Sequence, residues 1–295
     1  MLRILKKAFT GDIATNSYPS VVAEPPDGFR GKPVIDFARC TACDACAQAC
    51  PTSAIAVRAD DEERGEKIVA INYGDCIFCG ECEAACPGAV HLTKEFQLAV
   101  TDKQELVTRA LYRRGSDGTY QYAELLAETP SPASSVEEIG TALKKKARRL
   151  FGRSLHIREV DAGSCNGCEV EITALNNPVY DIQRFGVRFV ASPRHADMLL
   201  VTGPVTRNME IALKQTYDAT PGPKLVVAVG ACAIGGGIFG RSYASCGGVD
   251  TVVPVDVYIP GCPPRPEALL HGILLAMDRY TQDTSDRRRL PERAP

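Results

Sequence analysis

A chain of 295 residues has room for two ordinary domains, each with its own core. Its apolar and charged fractions, 45% and 24%, are those of a soluble globular protein, and a net charge of −2 offers nucleic acid no global attraction. No run reaches the ~18 apolar residues of a membrane span. The start, Met1 to Phe9, lacks a secretory apolar core and a twin-arginine signal, so a cytoplasmic location is expected.

Thirteen cysteines is a high count. In a reducing cytosol, clustered cysteines bind metal more often than they pair as disulfides. Residues 1–29 are expected as an N-terminal docking segment. Cys40, Cys43, Cys46, Cys50 and Pro51 then recur 36 positions later as Cys76, Cys79, Cys82, Cys86 and Pro87. Each set precedes a short β-like run, Ala54–Arg58 and Ala89–Leu92. A repeat this close implies one pseudo-symmetric domain over residues 30–95.

C-x-x-C-x-x-C-x-x-x-C-P is the bacterial ferredoxin run. Its first three thiolates wrap one cubane, and the fourth lies too far round and ligates the other. One [4Fe–4S] cluster is therefore assigned to Cys40, Cys43, Cys46 and Cys86, and a second to Cys76, Cys79, Cys82 and Cys50. Zinc is the competing reading, but zinc sites use two separated ligand pairs, often with His. Small residues between the ligands, among them Ala42, Ala45, Gly80 and Ala84, suit a backbone closing on inorganic sulfur.

Residues 96–154 are read as an excursion, linker and basic helix. Residues 96–133 show no periodicity and gather Gly115, Gly118, Pro130 and Pro132. Ser135 with Glu138 forms a capping box opening a helix from Val136 to about Arg153. Its Lys144, Lys145, Lys146, Arg148 and Arg149, and the Leu2–Phe9 stretch, could lie on an anionic surface or be merely solvated.

Residues 155–282 alternate strands and helices. Strands are expected at Leu155–Val160, Val187–Val190, Met198–Thr202, Lys224–Val229 and Val255–Ile259, and helices near Glu169–Leu175, Asn208–Tyr217 and Arg265–Tyr280. β-branched runs separated by helices imply a mainly parallel sheet covered on both faces. The expected fold is thus an α+β bacterial ferredoxin-like domain followed by an α/β, flavodoxin-like domain. Residues 283–295 read as a flexible, Arg-rich tail.

Four cysteines fall on loops after those strands: Cys165 and Cys168, then Cys232, then Cys262. In an open parallel sheet, ligands collect beyond the carboxyl ends of the strands. Three loops thus bring four thiolates to one edge for a third [4Fe–4S] cluster, with zinc or unrelated buried thiols as the alternative. Cys246 is left over and reads as a small buried residue. Gly235–Gly240 matches G-x-G-x-x-G, yet no helix pattern follows and no acidic residue sits ~20 positions on, so no dinucleotide site is expected. His91, His156, His195 and His271 are scattered and read as structural.

On these motifs the chain resembles two families. Residues 1–125, including Ser17-Tyr-Pro and Arg30-Gly-Lys-Pro, resemble the ferredoxin-like subunit of formate hydrogenlyase complexes. Residues 155–281 resemble the small subunit of group 4 membrane-bound [NiFe] hydrogenases, a homologue of the 20 kDa cluster-N2 subunit of complex I. The matching stretches are Asp161-Ala-Gly-Ser-Cys-Asn-Gly-Cys-Glu-Val-Glu-Ile, Leu200-Val-Thr-Gly-Pro-Val-Thr and Ile259-Pro-Gly-Cys-Pro-Pro-Arg-Pro-Glu. Cys165-Asn-Gly-Cys168 has the hydrogenase form; the complex I subunit carries adjacent cysteines there.

The resemblance implies an electron-transfer subunit of an oxidoreductase complex, not catalytic alone. Its implied partners are a [NiFe] large subunit (the complex I 49 kDa homologue), membrane subunits and a formate dehydrogenase-type donor, on the cytoplasmic face of the inner membrane. It gives Glu171 a role in carrying protons or tuning the cluster, against that of an ordinary first-turn helix acid. Two other functions stay open: a complex I-like module reducing quinone, and a stand-alone polyferredoxin carrier.

Overall fold

The computed structural model describes residues 14–18, 21, 24–61, 64–130 and 154–287, with side chains described as far as residue 277. The Leu2–Phe9 stretch, the helix expected from Val136 to Arg153 and residues 288–295 lie outside these.

Short strands β1 (Pro33–Ile35) and β4 (Val90–Leu92) pair antiparallel, and two short helices, α1 (Ala45–Gln48) and α2 (Glu81–Ala85), follow the cysteine-bearing turns. β2 (Ile55–Asp61) and β3 (Glu66–Asn72) form the second hairpin of this unit. That hairpin does not end the sheet. β5 (Val107–Arg114) and β6 (Tyr120–Ala127) extend it in the order β2-β3-β5-β6, antiparallel throughout.

Two eight-residue strands therefore lie within the stretch expected to be aperiodic. In β5, Thr108, Ala110 and Tyr112 turn inward while Arg109 and Arg113 turn out, a period-2 pattern obscured by the weakly apolar Thr108 and Ala110 and by buried Leu111. Gly115 and Gly118 mark the hairpin turn and not a linker. Asp117 Oδ1 accepts from Thr119 N at 3.0 Å and Thr119 Oγ1 at 2.7 Å to close it.

The second half is a five-stranded parallel sheet. Its strands are β7 (Leu155–Asp161), β8 (Val187–Phe189), β9 (Met198–Thr202), β10 (Leu225–Val229) and β11 (Val257–Ile259), in the spatial order β8-β7-β9-β10-β11. β9 and β10 are buried at every residue, as expected of central strands covered on both faces. Alternate side chains serve two cores. Leu199 and Val201 face the layer holding Leu213 of α4 (Arg207–Ala219), whereas Met198 and Leu200 face Ile172 of α3 (Gly167–Ala174) and Leu270 of α6 (Pro266–Arg287). Residues 283–287, expected as tail, continue α6.

The first core does not stop at the sheet. Ile71, Tyr73 and Leu106 of the ferredoxin half belong to the same apolar cluster as Val201, Ile234 and Val249. Val100 exchanges backbone hydrogen bonds with Tyr258 (3.1 and 2.9 Å), adding a bridge to the β11 edge. Residues 14–18 run back over the parallel-sheet half. Asn16 N donates to Val179 O at 2.8 Å, Arg184 Nη2 donates to Asn16 Oδ1 at 3.0 Å, and Tyr18 sits fully in the second core. The two halves share one continuous interior.

Candidate metal centres

The sequence repeat is also a repeat of backbone geometry. Ala42 and Phe78, 36 positions apart, both have positive φ (51° and 55°), and each turns its amide back onto a thiol. Ala42 N donates to Cys40 Sγ at 3.4 Å and Phe78 N to Cys76 Sγ at 3.3 Å. Asp44 and Gly80, also left-handed, then open α1 and α2. A left-handed residue inside each C-x-x-C curls the chain so that its amides face inward, where they suit anionic sulfur.

One cavity of the ferredoxin half is lined by Cys40, Cys43, Cys46 and Cys86; a second is lined by Cys50, Cys76, Cys79 and Cys82. The fourth cysteine of each run has thus crossed to the other run's three. Burial pushes the Cys46 thiol up to about 12, with Cys86, Cys40 and Cys43 adding to it. Burial likewise takes Cys76 to about 12, with Cys82, Cys50 and Cys79 contributing. Cys43 at the exposed rim is lowered, chiefly by the Ala45 amide. At Cys50 burial is outweighed by amide donors, including Ala54 N at 3.2 Å. Behind Cys40, Tyr112 is planted by its hydroxyl donating to Phe37 O at 2.9 Å.

On the parallel sheet, β7, β10 and β11 end at one edge. Beyond β7, Asp161 Oδ1 accepts from Gly163 N and Ser164 N, both at 2.7 Å, and shapes the loop carrying Cys165. Cys168 lies in the first turn of α3, Cys232 in the short helix α5 (Gly230–Gly235), and Cys262 in the loop before α6. Burial pushes the Cys168 thiol far up, and after Glu169 the thiols of Cys232, Cys262 and Cys165 add to it. Cys232 rises to about 11 by burial, then through Cys262 and Cys165. The four thiols are electrostatic neighbours.

Glycine makes the room. Gly230 has φ +84°, and a Cβ there would come within 2.8 Å of Cys168 Sγ; at Gly237 a Cβ would lie 2.8 Å from Cys232 Sγ. The backbone hugs both sulfurs where side chains would fill the cradle. Among the described residues no group of three or more His, Cys, Asp or Glu is arranged to hold a single metal ion.

Other residues singled out from the sequence fall outside these centres. Cys246 is buried, its thiol donating to Glu210 Oε2 at 3.2 Å, itself paired with Arg207 at 3.0 Å. Gly235–Gly240 ends α5 and makes a 3-10 turn over Gly237–Phe239 against Cys232, and no α-helix starts from it. Glu171 is raised by burial, with Glu267 adding and Arg265 opposing. Sequence reasoning passed over Glu169. Both its carboxylate oxygens are buried without a hydrogen-bond partner among the described residues, and it is the largest charge acting on Cys168. Its position directly after Cys168 was the available signal.

Doubled four-cysteine runs beside a thiol-bearing parallel-sheet edge define an iron–sulfur protein. Residues 39–90 match the 4Fe-4S dicluster domain, and residues 165–276 match the NADH ubiquinone oxidoreductase 20 kDa subunit family. A probable membrane-bound hydrogenase subunit, mbhJ, of Pyrococcus furiosus is 53% identical over 45% of this chain and 80% of its own length. Formate hydrogenlyase subunit 7 of Escherichia coli is 47% identical over 50% of this chain and 58% of its own length. A subunit of the NADH-quinone oxidoreductase of Bacteroides thetaiotaomicron is 47% identical over 44% of this chain and 68% of its own length. The chain belongs to the NADH ubiquinone oxidoreductase 20 kDa subunit family, fused behind a 4Fe-4S dicluster domain. Its relatives are subunits of oxidoreductase complexes.

Proposed function

We propose that this chain holds three [4Fe–4S] clusters and relays electrons in a membrane-associated complex of the group 4 [NiFe] hydrogenase type. Cys40, Cys43, Cys46 and Cys86 would hold one, Cys76, Cys79, Cys82 and Cys50 the second, and Cys165, Cys168, Cys232 and Cys262 the third. The observation that carries this is the gathering of four thiols from three loops at one sheet edge, against a backbone stripped of side chains at Gly230 and Gly237. Each cluster, when bound, supplies a one-electron couple; the protein fixes spacing and surroundings. The dicluster unit is read at 30–95, with β5 and β6 extending its sheet to Ala127, and the hydrogenase small-subunit-like unit at 155–282. The order β8-β7-β9-β10-β11 supports a flavodoxin-like class for the latter, since numbered within that sheet it reads 2-1-3-4-5.

The third centre lies at the surface, with Cys165 and Cys262 exposed. Around it Val170, Ile238 and Phe239 expose more than half of their area, an apolar rim that a partner would cover. That partner is read as a [NiFe] large subunit, supported by the hydrogenase and formate hydrogenlyase names of relatives and by the C-x-x-C form at Cys165. Among the described residues no helix is long and apolar enough to cross a membrane; attachment on the cytoplasmic face is read as running through membrane subunits. A donor of the formate dehydrogenase type would feed the ferredoxin end. The quinone-reducing reading is kept by the NADH-quinone oxidoreductase relatives.

The test is anaerobic purification of the intact complex. About twelve iron and twelve sulfide per chain are expected from three cubanes, with a nickel-containing large subunit attached. About eight of each removes the third cluster. A large subunit without nickel moves the assignment to the quinone-reducing reading.

A further inference from the structure

Between the two halves lies a cavity of 330 Å³ whose walls include Cys79 from the ferredoxin half and Cys262 from the parallel-sheet half. Burial raises the Cys262 thiol, followed by its neighbours Cys165 and Cys79, so the second and third thiol sets meet across this gap. Cys40, Cys43, Cys46 and Cys86 do not line it.

Two guanidinium groups do, together with one carboxylate, Glu95, which is paired with Lys32 at 3.7 Å. Arg265 is held on four sides: Nε donates to Glu267 Oε2 at 2.8 Å, Nη2 donates to Glu267 Oε1 at 3.0 Å, and the rings of Phe96 and Phe29 lie 4.7 and 5.4 Å from Cζ. Its Nη1 is buried and has no hydrogen-bond partner among the described residues. Arg265 lines the cavity while Glu267 does not, so this ion pair presents its positive end to the gap. Arg30 Nη1 donates to the Cys79 carbonyl, fixing a second cation at the opposite wall. The N-terminus of α6, starting at Pro266, adds positive potential from the same side.

We propose that Arg30 and Arg265 form a cationic spacer between the second and third clusters, raising the potentials of both and offsetting their mutual repulsion. This rests on the ligand reading above. A cubane held by four thiolates is an anion and gains negative charge on reduction; two such anions facing each other across this gap disfavour each other's reduction. A stacked, weakly hydrated guanidinium holds its charge there where an ammonium would be drawn to water. Arg265 acts in this scheme through the charge it holds at the cavity wall.

The experiment is a potentiometric EPR titration of the iron-loaded full chain. Arg265 is replaced together with its partner (Arg265→Met with Glu267→Gln) so that no carboxylate is orphaned in the interior; Arg30→Met is made separately. At a fixed poise the reduced-to-oxidised ratio of the second and third clusters should fall about threefold in the paired variant, about 28 mV for one electron. That variant removes a dipole with its positive end toward the gap and no net charge. A fall of about threefold is expected for the more exposed Arg30. The cluster of Cys40, Cys43, Cys46 and Cys86 should not move. Unmoved potentials, or an equal shift in all three clusters, overturn the spacer. Should the paired variant fail to load its third cluster, Arg30→Met decides: no downward shift of the second cluster overturns the proposal. A wild-type chain carrying fewer than three clusters defeats the ligand reading and the spacer together, whereas three clusters with unmoved potentials defeat only the spacer.

Discussion

The two halves of this molecule collect thiols in opposite ways. In the ferredoxin half, three thiols of each set lie within seven consecutive positions, and positive-φ residues such as Ala42 and Phe78 turn the intervening amides toward them. In the parallel-sheet half, Cys165 and Cys262 are 97 positions apart, and only the alignment of β7, β10 and β11 brings their loops together. A locally encoded site tolerates distant damage; a site assembled by a sheet fails with any element that aligns its loops.

Removal of a scattered ligand is expected to have the largest effect. Cys168→Ala should take the iron content from about twelve to about eight per chain and abolish H2-linked turnover, with both ferredoxin EPR signals kept. Loss of all three signals would break the comparison, because the halves would then load as one unit.

Cys86→Ala sharpens the contrast inside the ferredoxin half. Cys86 lines the cavity of Cys40, Cys43 and Cys46 despite belonging to the second run. The signal of that set should disappear or convert to a three-iron form, and the set of Cys76, Cys79, Cys82 and Cys50 should keep its signal. The reverse outcome would mean that each run closes on itself.

Two glycines with nearly the same φ separate local strain from thiol crowding. Gly88 (φ +86°) has nothing within 4 Å of a would-be Cβ, whereas at Gly230 (φ +84°) a Cβ meets Cys168 Sγ at 2.8 Å. Gly88→Ala should cost about 1 kcal/mol in chemical unfolding and leave iron content alone. Gly230→Ala should cost roughly 2–3 kcal/mol and lose the third cluster. Equal iron in the two variants would show that the cradle at Gly230 is not needed.

The smallest expected effect concerns acid. His271 on α6 is buried, its Nδ1 has no partner among the described residues, and burial lowers its pKa to about 4. A folded-state value below the unfolded one means that the unfolded chain binds the extra proton. The stabilisation is complete above about pH 6.5 and drains away as pH falls toward 4. Between pH 7.5 and 5.5 the loss should be about 1 kcal/mol, read by anaerobic denaturant unfolding and absent in His271→Leu. An unchanged pH slope in that variant would place the acid sensitivity elsewhere.

Much of the parallel-sheet half could be read from residue pattern, because strands such as Leu225–Val229 are short, apolar throughout and flanked by glycine. β5 and β6 could not. In β5 the alternation is broken by Leu111 at an outward position and muted by the small inward Thr108 and Ala110, and its pairing follows from the waiting edge of β3 more than from its own composition. Glu169 went unread for a similar reason: whether a first-turn acid is solvated or sealed against thiols depends on what packs over it.

The amino-acid sequence by itself determined the inventory of this protein: the doubled cysteine run, the four later cysteines at strand ends, and the two kinds of domain that carry them. These follow from short-range spacing and periodicity, which the backbone enforces within a few residues. Only the tertiary structure decided which thiols face one another, that Gly230 leaves room for Cys168, and that Cys79 and Cys262 meet across a cavity flanked by two arginines. Those relations are distances between segments remote in the chain. They are set by the shared core of Ile71, Tyr73 and Leu106 with Val201 and Ile234, where dense packing leaves the two halves one way to fit.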